Sequence, residues 1–136
     1  MDVLELIGRL AFAAIFLFSG PNHLLKREQM SAYARSAGTP AAPLLVPFTG
    51  LMIVAGGLLV ALGAWVDLGA ALIAAFLIPT SYFMHGFWRY DDPMERQNQM
   101  AHFMKNVAMI GGALVLIYLF VQFGDQVGLT LTGPLF

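Results

Sequence analysis

Three histidines are the residues of this chain best suited to chemistry near neutral pH. His23, His85 and His102 stand where long apolar stretches meet polar ones, and Lys105 and Asn106 follow His102 within about one helical turn. Imidazoles beside carboxylates can take up and release protons in the physiological range. We therefore regard these five residues as the core of a candidate site.

The histidines admit three interpretations from their types and positions alone. They could cap helix ends or hydrogen-bond across a bundle, without chemistry. They could form a proton relay or contact a quinone headgroup, with Asp91 or Asp92 orienting an imidazole. They could also bind a metal ion or serve as an axial haem ligand, but that requires side chains that converge. We predict no metal site.

The composition indicates a membrane protein. Of 136 residues, 59% are hydrophobic and only 11% are charged, whereas soluble domains carry about 25% charged residues. The formal net charge of −1 gives no support to nucleic-acid binding. There is no cysteine, which excludes dithiol chemistry and thiolate metal sites, so a redox role would need a bound cofactor or a partner.

Four apolar stretches are long enough to cross a bilayer, which takes about 20 residues each. We predict helices over residues 3–25, 44–64, 68–88 and 93–123. Together they form one domain over residues 1–136, an all-α four-helix transmembrane bundle with up-down-up-down topology. Within residues 26–43 we expect a short amphipathic helix at the interface. The glycines predicted to allow close helix packing are Gly50, Gly56, Gly57, Gly63, Gly111 and Gly112.

Two proline-containing segments carry local structural signals. Asp92 and Pro93 are typical of a helix start, with a capping carboxylate followed by proline at the first helical position. Pro79 removes one backbone hydrogen bond and frees a carbonyl near Ala75. We expect the nearby hydroxyls of Thr80 and Ser81 to help satisfy the exposed backbone groups.

Arg9 lies one to two turns inside the first helix and four residues after Glu5. One interpretation is an ion pair with Glu5 and a side chain that extends towards the membrane surface. The other is a buried arginine that holds an anionic or quinone-like group, because Arg9 falls close to one helical stripe with Phe16, Gly20 and His23.

The basic residues predict the orientation in the membrane. With four spans, one side carries six of them, and the other carries only Arg9. Basic loops stay in the cytoplasm, so we expect loops 26–43 and 89–101 to be cytoplasmic and both termini to be outside. The three histidines then lie at the cytoplasmic face, and the tail 124–136 lies at the opposite surface. The six are Lys26, Arg27, Arg35, Arg89, Arg96 and Lys105.

These motifs together resemble the DoxX family of small four-helix membrane proteins. The resemblance covers nearly the whole chain. It rests on Arg9, the helix end Phe18-Ser19-Gly20, the run Gly56-Gly57-Leu58-Leu59 with Gly63, the motif His85-Gly86-Phe87-Trp88 with Asp92-Pro93, and Lys105-Asn106-Val107-Ala108 with Gly111-Gly112. Relatives often carry an acidic residue in the second helix, whereas Leu51-Met52-Ile53-Val54 is apolar here.

The resemblance implies an accessory subunit of a quinone-linked redox system in a bacterial-type inner membrane. In that interpretation His85, His23, His102 and Lys105 are the residues expected to carry chemistry. The expected quinone contacts are Arg9, Tyr82, Trp88 and Asn106. Quinone is the cofactor to expect, and the partners to expect are lipid, a redox protein and a second copy of the chain.

A scaffold without chemistry of its own is the alternative. It would dock soluble enzymes through residues 26–43 and 88–100, where Trp88-Arg89-Tyr90 and an acidic loop would be exposed. Transport of a small solute is a third class, for which four helices with few intramembrane charges offer little.

Overall fold

The computed structural model describes residues 2–136, which form helices joined by short connections. The helices are α1 (Asp2–Leu25), α2 (Arg27–Ser36), α3 (Ala42–Leu62), α4 (Val66–Met84) and α5 (Pro93–Phe123), with one-turn 3-10 helices at Phe87–Arg89 and Gly124–Gln126. Four segments are long and apolar enough to cross a membrane: α1, α3, α4 with its following turn, and α5. This confirms the predicted all-α bundle of four spans.

Neighbours in sequence are neighbours in space, as short connections require. α1 packs on α3, α3 on α4, and α4 on α5. Their shared core is small and apolar, and its centre includes Phe16, Ile53, Ile73 and Phe120. The outer faces are apolar too, and Phe18 leaves 80% of its surface exposed. Such a surface fits a lipid bilayer, where no water is available to solvate polar groups.

Paired glycines bring the helices into close contact. A Cβ atom built on Gly20 of α1 or Gly50 of α3 would lie 3.1 Å from the carbonyl oxygen of the other glycine. Gly56 of α3 and Gly69 of α4 meet in the same way, at 2.9 and 2.8 Å. The predicted packing role is confirmed for Gly50 and Gly56. It is wrong for Gly111, which has no neighbouring atom within 4 Å of a built Cβ.

α4 ends at Met84, four residues before the predicted end of the third span. The reason lies in Arg89, whose guanidinium folds back onto the last turn. Its Nη2 donates to the carbonyl of Tyr82 at 2.7 Å, and its Nη1 donates to the carbonyls of Phe83 at 3.2 Å and Ala37 at 2.9 Å. The bonds to Tyr82 and Phe83 satisfy carbonyls that a longer α4 would have paired internally.

α5 begins at Pro93, where the sequence predicted it. Asp92 is the capping residue, and its Oδ2 accepts a hydrogen bond from the backbone N–H of Glu95 at 2.9 Å. Asp92 therefore stabilises the helix start and forms no hydrogen bond or ion pair with an imidazole among the described residues.

The C-terminal tail folds over the end of the bundle that is remote from the histidines. Gly63, which ends α3 with a positive φ of 69°, accepts the backbone N–H of Leu131 at 2.9 Å. Asp67 is fully buried, and its Oδ2 accepts the backbone N–H groups of Leu135 at 2.8 Å and Phe136 at 3.0 Å. The sequence pattern predicts only a turn at Asp67.

Arg9 belongs to this same end of the bundle and is only 1% exposed. Its Nε pairs with the Glu5 carboxylate at 2.5 Å, and its Nη2 donates to the carbonyl of Leu129 at 2.8 Å. Its Nη1 donates to the carbonyls of Val60 and Ala61, each at 3.2 Å. The predicted Glu5 pair is present, but the side chain is buried against the tail instead of extending to the surface.

Candidate functional site

A cavity of about 570 Å³ lies within the bundle at the end where α2 packs. All five helices contribute to its wall, which is mostly apolar. The volume falls within the range of about 300–1,000 Å³ that is usual for small-molecule sites. The polar side chains on the wall are His23, His85, Lys105, Asn106, Ser19, Thr39, Thr49 and Thr80, with the hydroxyl of Tyr33.

The cavity adjoins the turn of α4 that Pro79 interrupts. Ala75 and Pro79 both line it, and proline has no N–H to donate to the Ala75 carbonyl. The hydroxyl of Ser81, predicted to compensate for this break, donates instead to the carbonyl of Leu77 at 2.6 Å. The Ala75 carbonyl is thus left without its usual helical partner beside the cavity.

His23 is held in the last turn of α1 by the first turns of α3. Its Nδ1 lies 3.1 Å from the carbonyl oxygen of Val46 and 3.4 Å from the hydroxyl of Thr49. Because a carbonyl oxygen only accepts, Nδ1 carries the proton, and Nε2 of the neutral ring has a free lone pair. The close α1–α3 crossing makes this contact possible, since Gly50 lies directly against the Cβ of His23.

His85 is held in a similar way by α5. It follows the last residue of α4, and its Nδ1 lies 2.9 Å from Oε1 of Gln99. The amide Nε2 of Gln99 donates to the Glu95 carboxylate at 3.1 Å, which directs the amide oxygen towards His85. Nδ1 of His85 therefore donates as well, and its Nε2 is also left free.

His102 stacks on His85 but does not line the cavity. The two ring centroids are 5.0 Å apart with an interplanar angle of 22°. His102 is exposed on α5, so it lies between His85 and the surroundings of the bundle. Asn106, one turn further along α5, is 3% exposed and reaches the cavity wall with Lys105.

The structure brings four of the eight predicted site residues to one cavity. These are His23, His85, Lys105 and Asn106, whereas His102, Arg9, Tyr82 and Trp88 lie elsewhere.

Arg9 lies fourteen residues before His23 on one helix, which corresponds to about 21 Å along the axis. All three of its guanidinium nitrogens are engaged with Glu5 and backbone carbonyls. Arg9 and His23 lie on one stripe of α1, but the distance between them is most of the thickness of the membrane. The structure therefore places Arg9 away from the cavity, near the opposite end of α1.

Tyr82 and Trp88 were also predicted as quinone contacts, and neither lines the cavity. Tyr82 is 55% exposed and Trp88 is 47% exposed. Their rings lie 5.4 and 6.0 Å from the guanidinium carbon of Arg89, and Trp88 also packs on Phe103. Both residues belong to an aromatic cluster outside the cavity, with ring centroids 5.7 Å apart.

Sequence reasoning missed Glu95, Gln99 and Thr49. A signal for the first two was present, since Glu95, Gln99, His102 and Asn106 follow one another at intervals of four, three and four residues. This spacing places polar side chains on one face of a helix. The sequence analysis assigned the orientation of a histidine to Asp91 or Asp92, whereas in the structure Gln99 orients His85.

Within residues 2–136 no three histidine, cysteine or acidic side chains come together in a way that could hold a metal ion.

Comparison with known proteins gives one match. A family model described as DoxX matches residues 4–86, which include α1 to α4 and both cavity histidines. No curated protein and no solved structure matches the chain.

Proposed function

This chain belongs to the DoxX family, and on that basis, together with the cavity, we propose that it binds a quinone as an accessory subunit of a quinone-linked redox system. The observation that carries the proposal is the pair His23 and His85 on one apolar cavity, each fixed through Nδ1 with Nε2 left free. Apolar lining with a few oriented polar groups is the usual form of a small-molecule site.

The two imidazoles suit both states of a quinone headgroup. A neutral Nε2 accepts the hydroxyl proton of a quinol, and a protonated Nε2 donates to a quinone carbonyl. Lys105 adds a positive charge at the cavity wall, which would stabilise negative charge developing on a quinone oxygen. The apolar wall would accommodate the ring and the first part of an isoprenoid chain.

The hydrogen bonds around His85 fix the orientation of its ring, which proton exchange with a bound headgroup requires. Gln99 fixes the ring orientation and Glu95 fixes Gln99. His102 stacks on the same ring and is exposed, so in this proposal it stands on the route by which a proton would leave. Electrons would come from a partner, because the chain has no cysteine and no thiol redox centre.

Replacing His85 with alanine is expected to remove most of the bound quinone. We expect near-stoichiometric quinone in the wild-type protein isolated in mild detergent. The His85→Ala variant should retain about a tenth as much, because leaving a buried quinone oxygen without its hydrogen bond costs up to about 3 kcal/mol, roughly a hundredfold in affinity. Quinone extracted from the purified protein and quantified per chain measures this directly.

His102→Ala is the matched comparison, because it removes an imidazole that stacks on His85 but does not reach the cavity. It should keep most of the quinone. Equal quinone in wild type and His85→Ala would show that His85 is not part of a quinone site. Trace quinone in every variant would favour the scaffold alternative, although Arg89 of its proposed docking surface is engaged with three backbone carbonyls.

A further inference from the structure

A second cleft, of about 380 Å³, lies on the opposite side of α2 from the cavity. The two hollows share no lining residue, since Met30, Tyr33 and Ala34 of α2 line the cavity. The cleft is lined by Arg27, Glu28, Ser31, Ala32 and Arg35 of α2 with Pro43 of α3. One short helix thus has an apolar side towards the cavity and a charged side towards the cleft.

Arg27 and Arg35 are available to bind an anion. They are eight residues apart with Ser31 midway between them, which places all three on one side of the helix. Both arginines are exposed, and neither makes an ion pair or side-chain hydrogen bond with any described residue. Arg9 and Arg89, in contrast, direct their donors to backbone carbonyls.

The position of α2 puts this cleft at headgroup depth. A single residue, Lys26, separates α1 from α2, and residues 37–41 connect α2 to α3. Because α1 and α3 are both membrane spans, α2 is held at the membrane surface, where an amphipathic helix is stable. The cleft also adjoins the start of α3, whose helix dipole favours negative charge.

We propose that this cleft binds the headgroup of an anionic phospholipid, with Arg27 and Arg35 donating to its phosphate oxygens. The planar guanidinium fork matches the geometry of phosphate. With Glu28 included, the cleft has a formal charge of +1, which suits a headgroup with a single negative charge, such as phosphatidylglycerol. A lipid bound there would hold α2, and with it the Met30 and Tyr33 part of the cavity wall.

The test is a lipid titration of the purified full-length chain in a non-ionic detergent, read by native mass spectrometry. Phosphatidylglycerol should bind about 25-fold more tightly than phosphatidylcholine, because each of the two arginines contributes about fivefold near an anionic surface. The double variant Arg27→Gln/Arg35→Gln should bind both lipids alike. Arg96→Gln removes an exposed arginine near the start of α5 and should leave the preference unchanged.

Three results would overturn the proposal. The first is equal affinity of the wild-type protein for the two lipids. The second is a loss in Arg96→Gln as large as in the double variant, which would indicate a general charge effect. The third is displacement of the lipid by an equal concentration of inorganic phosphate, which would indicate a site for a free anion. Equal thermal unfolding temperatures for all variants verify that each is folded.

Discussion

Replacement of Arg9 with methionine is expected to lower the free energy of unfolding by about 3–5 kcal/mol, the usual cost of removing one member of a buried ion pair. The change leaves the Glu5 carboxylate without its partner. It also removes the donors to Val60 and Ala61 at the end of α3 and to Leu129 in the tail. The bonds lost connect three parts of the chain that are far apart in sequence.

Unfolding in bicelles, followed by steric trapping, measures this loss. Arg96→Met is the matched control, because Arg96 is exposed and a surface substitution changes stability by about 0.5 kcal/mol or less. Glu5→Gln/Arg9→Met should recover part of the loss, since no charge is then left unpaired. An Arg9→Met protein within about 1 kcal/mol of wild type would contradict the burial and pairing described above.

A methyl group at Gly50 is expected to disturb both the fold and the cavity. The Cβ of Gly50→Ala would clash with the Cβ of His23 and lie 3.1 Å from the Gly20 carbonyl oxygen. Neither neighbour is the flexible end of a side chain, so α1 and α3 must separate. Overpacking of this kind costs about 1–3 kcal/mol. It also moves His23 away from Val46, so we expect the bound quinone to fall with the stability.

Gly111→Ala is the control for this variant. It introduces the same methyl group into a span where a built Cβ meets no atom within 4 Å. Alanine is a better helix former than glycine by about 0.5–1 kcal/mol, so this protein should be as stable as wild type or slightly more so, with its quinone content retained. If Gly50→Ala also keeps both stability and quinone, the close α1–α3 crossing does not position His23.

The fold could be predicted from the sequence because every segment that crosses lipid must be apolar and long enough to span it. Apolar length predicts the spans, and the pair Asp92 and Pro93 predicts the start of α5 at the residue where it begins. The end of α4 could not be predicted, because there Arg89 folds back to the carbonyl of Tyr82 in the last turn of α4 and to that of Ala37 between α2 and α3. A contact between positions 52 residues apart leaves no local signal.

The candidate site was predictable in part for the same reason. Topology places helix ends together, so His23 and His85 could be assigned to one face of the membrane. The helical stripe did not show how far apart along α1 its residues lie, and Arg9 was therefore grouped with His23 although it lies at the other end of the helix. Gln99 was missed because an amide carries no charge to draw attention to it, although it orients His85.

Photolabelling with an azidoquinone tests the central claim most directly. The purified protein would be illuminated with the probe, digested, and the labelled positions located by mass spectrometry. Binding in the cavity predicts labels on wall residues of α1 and α4, such as Ser19 and Thr80, that disappear with excess unlabelled quinone and in His85→Ala. Labels spread over lipid-facing positions such as Phe18 and Leu44, unaffected by competitor or by His85→Ala, would contradict a quinone site in this cavity.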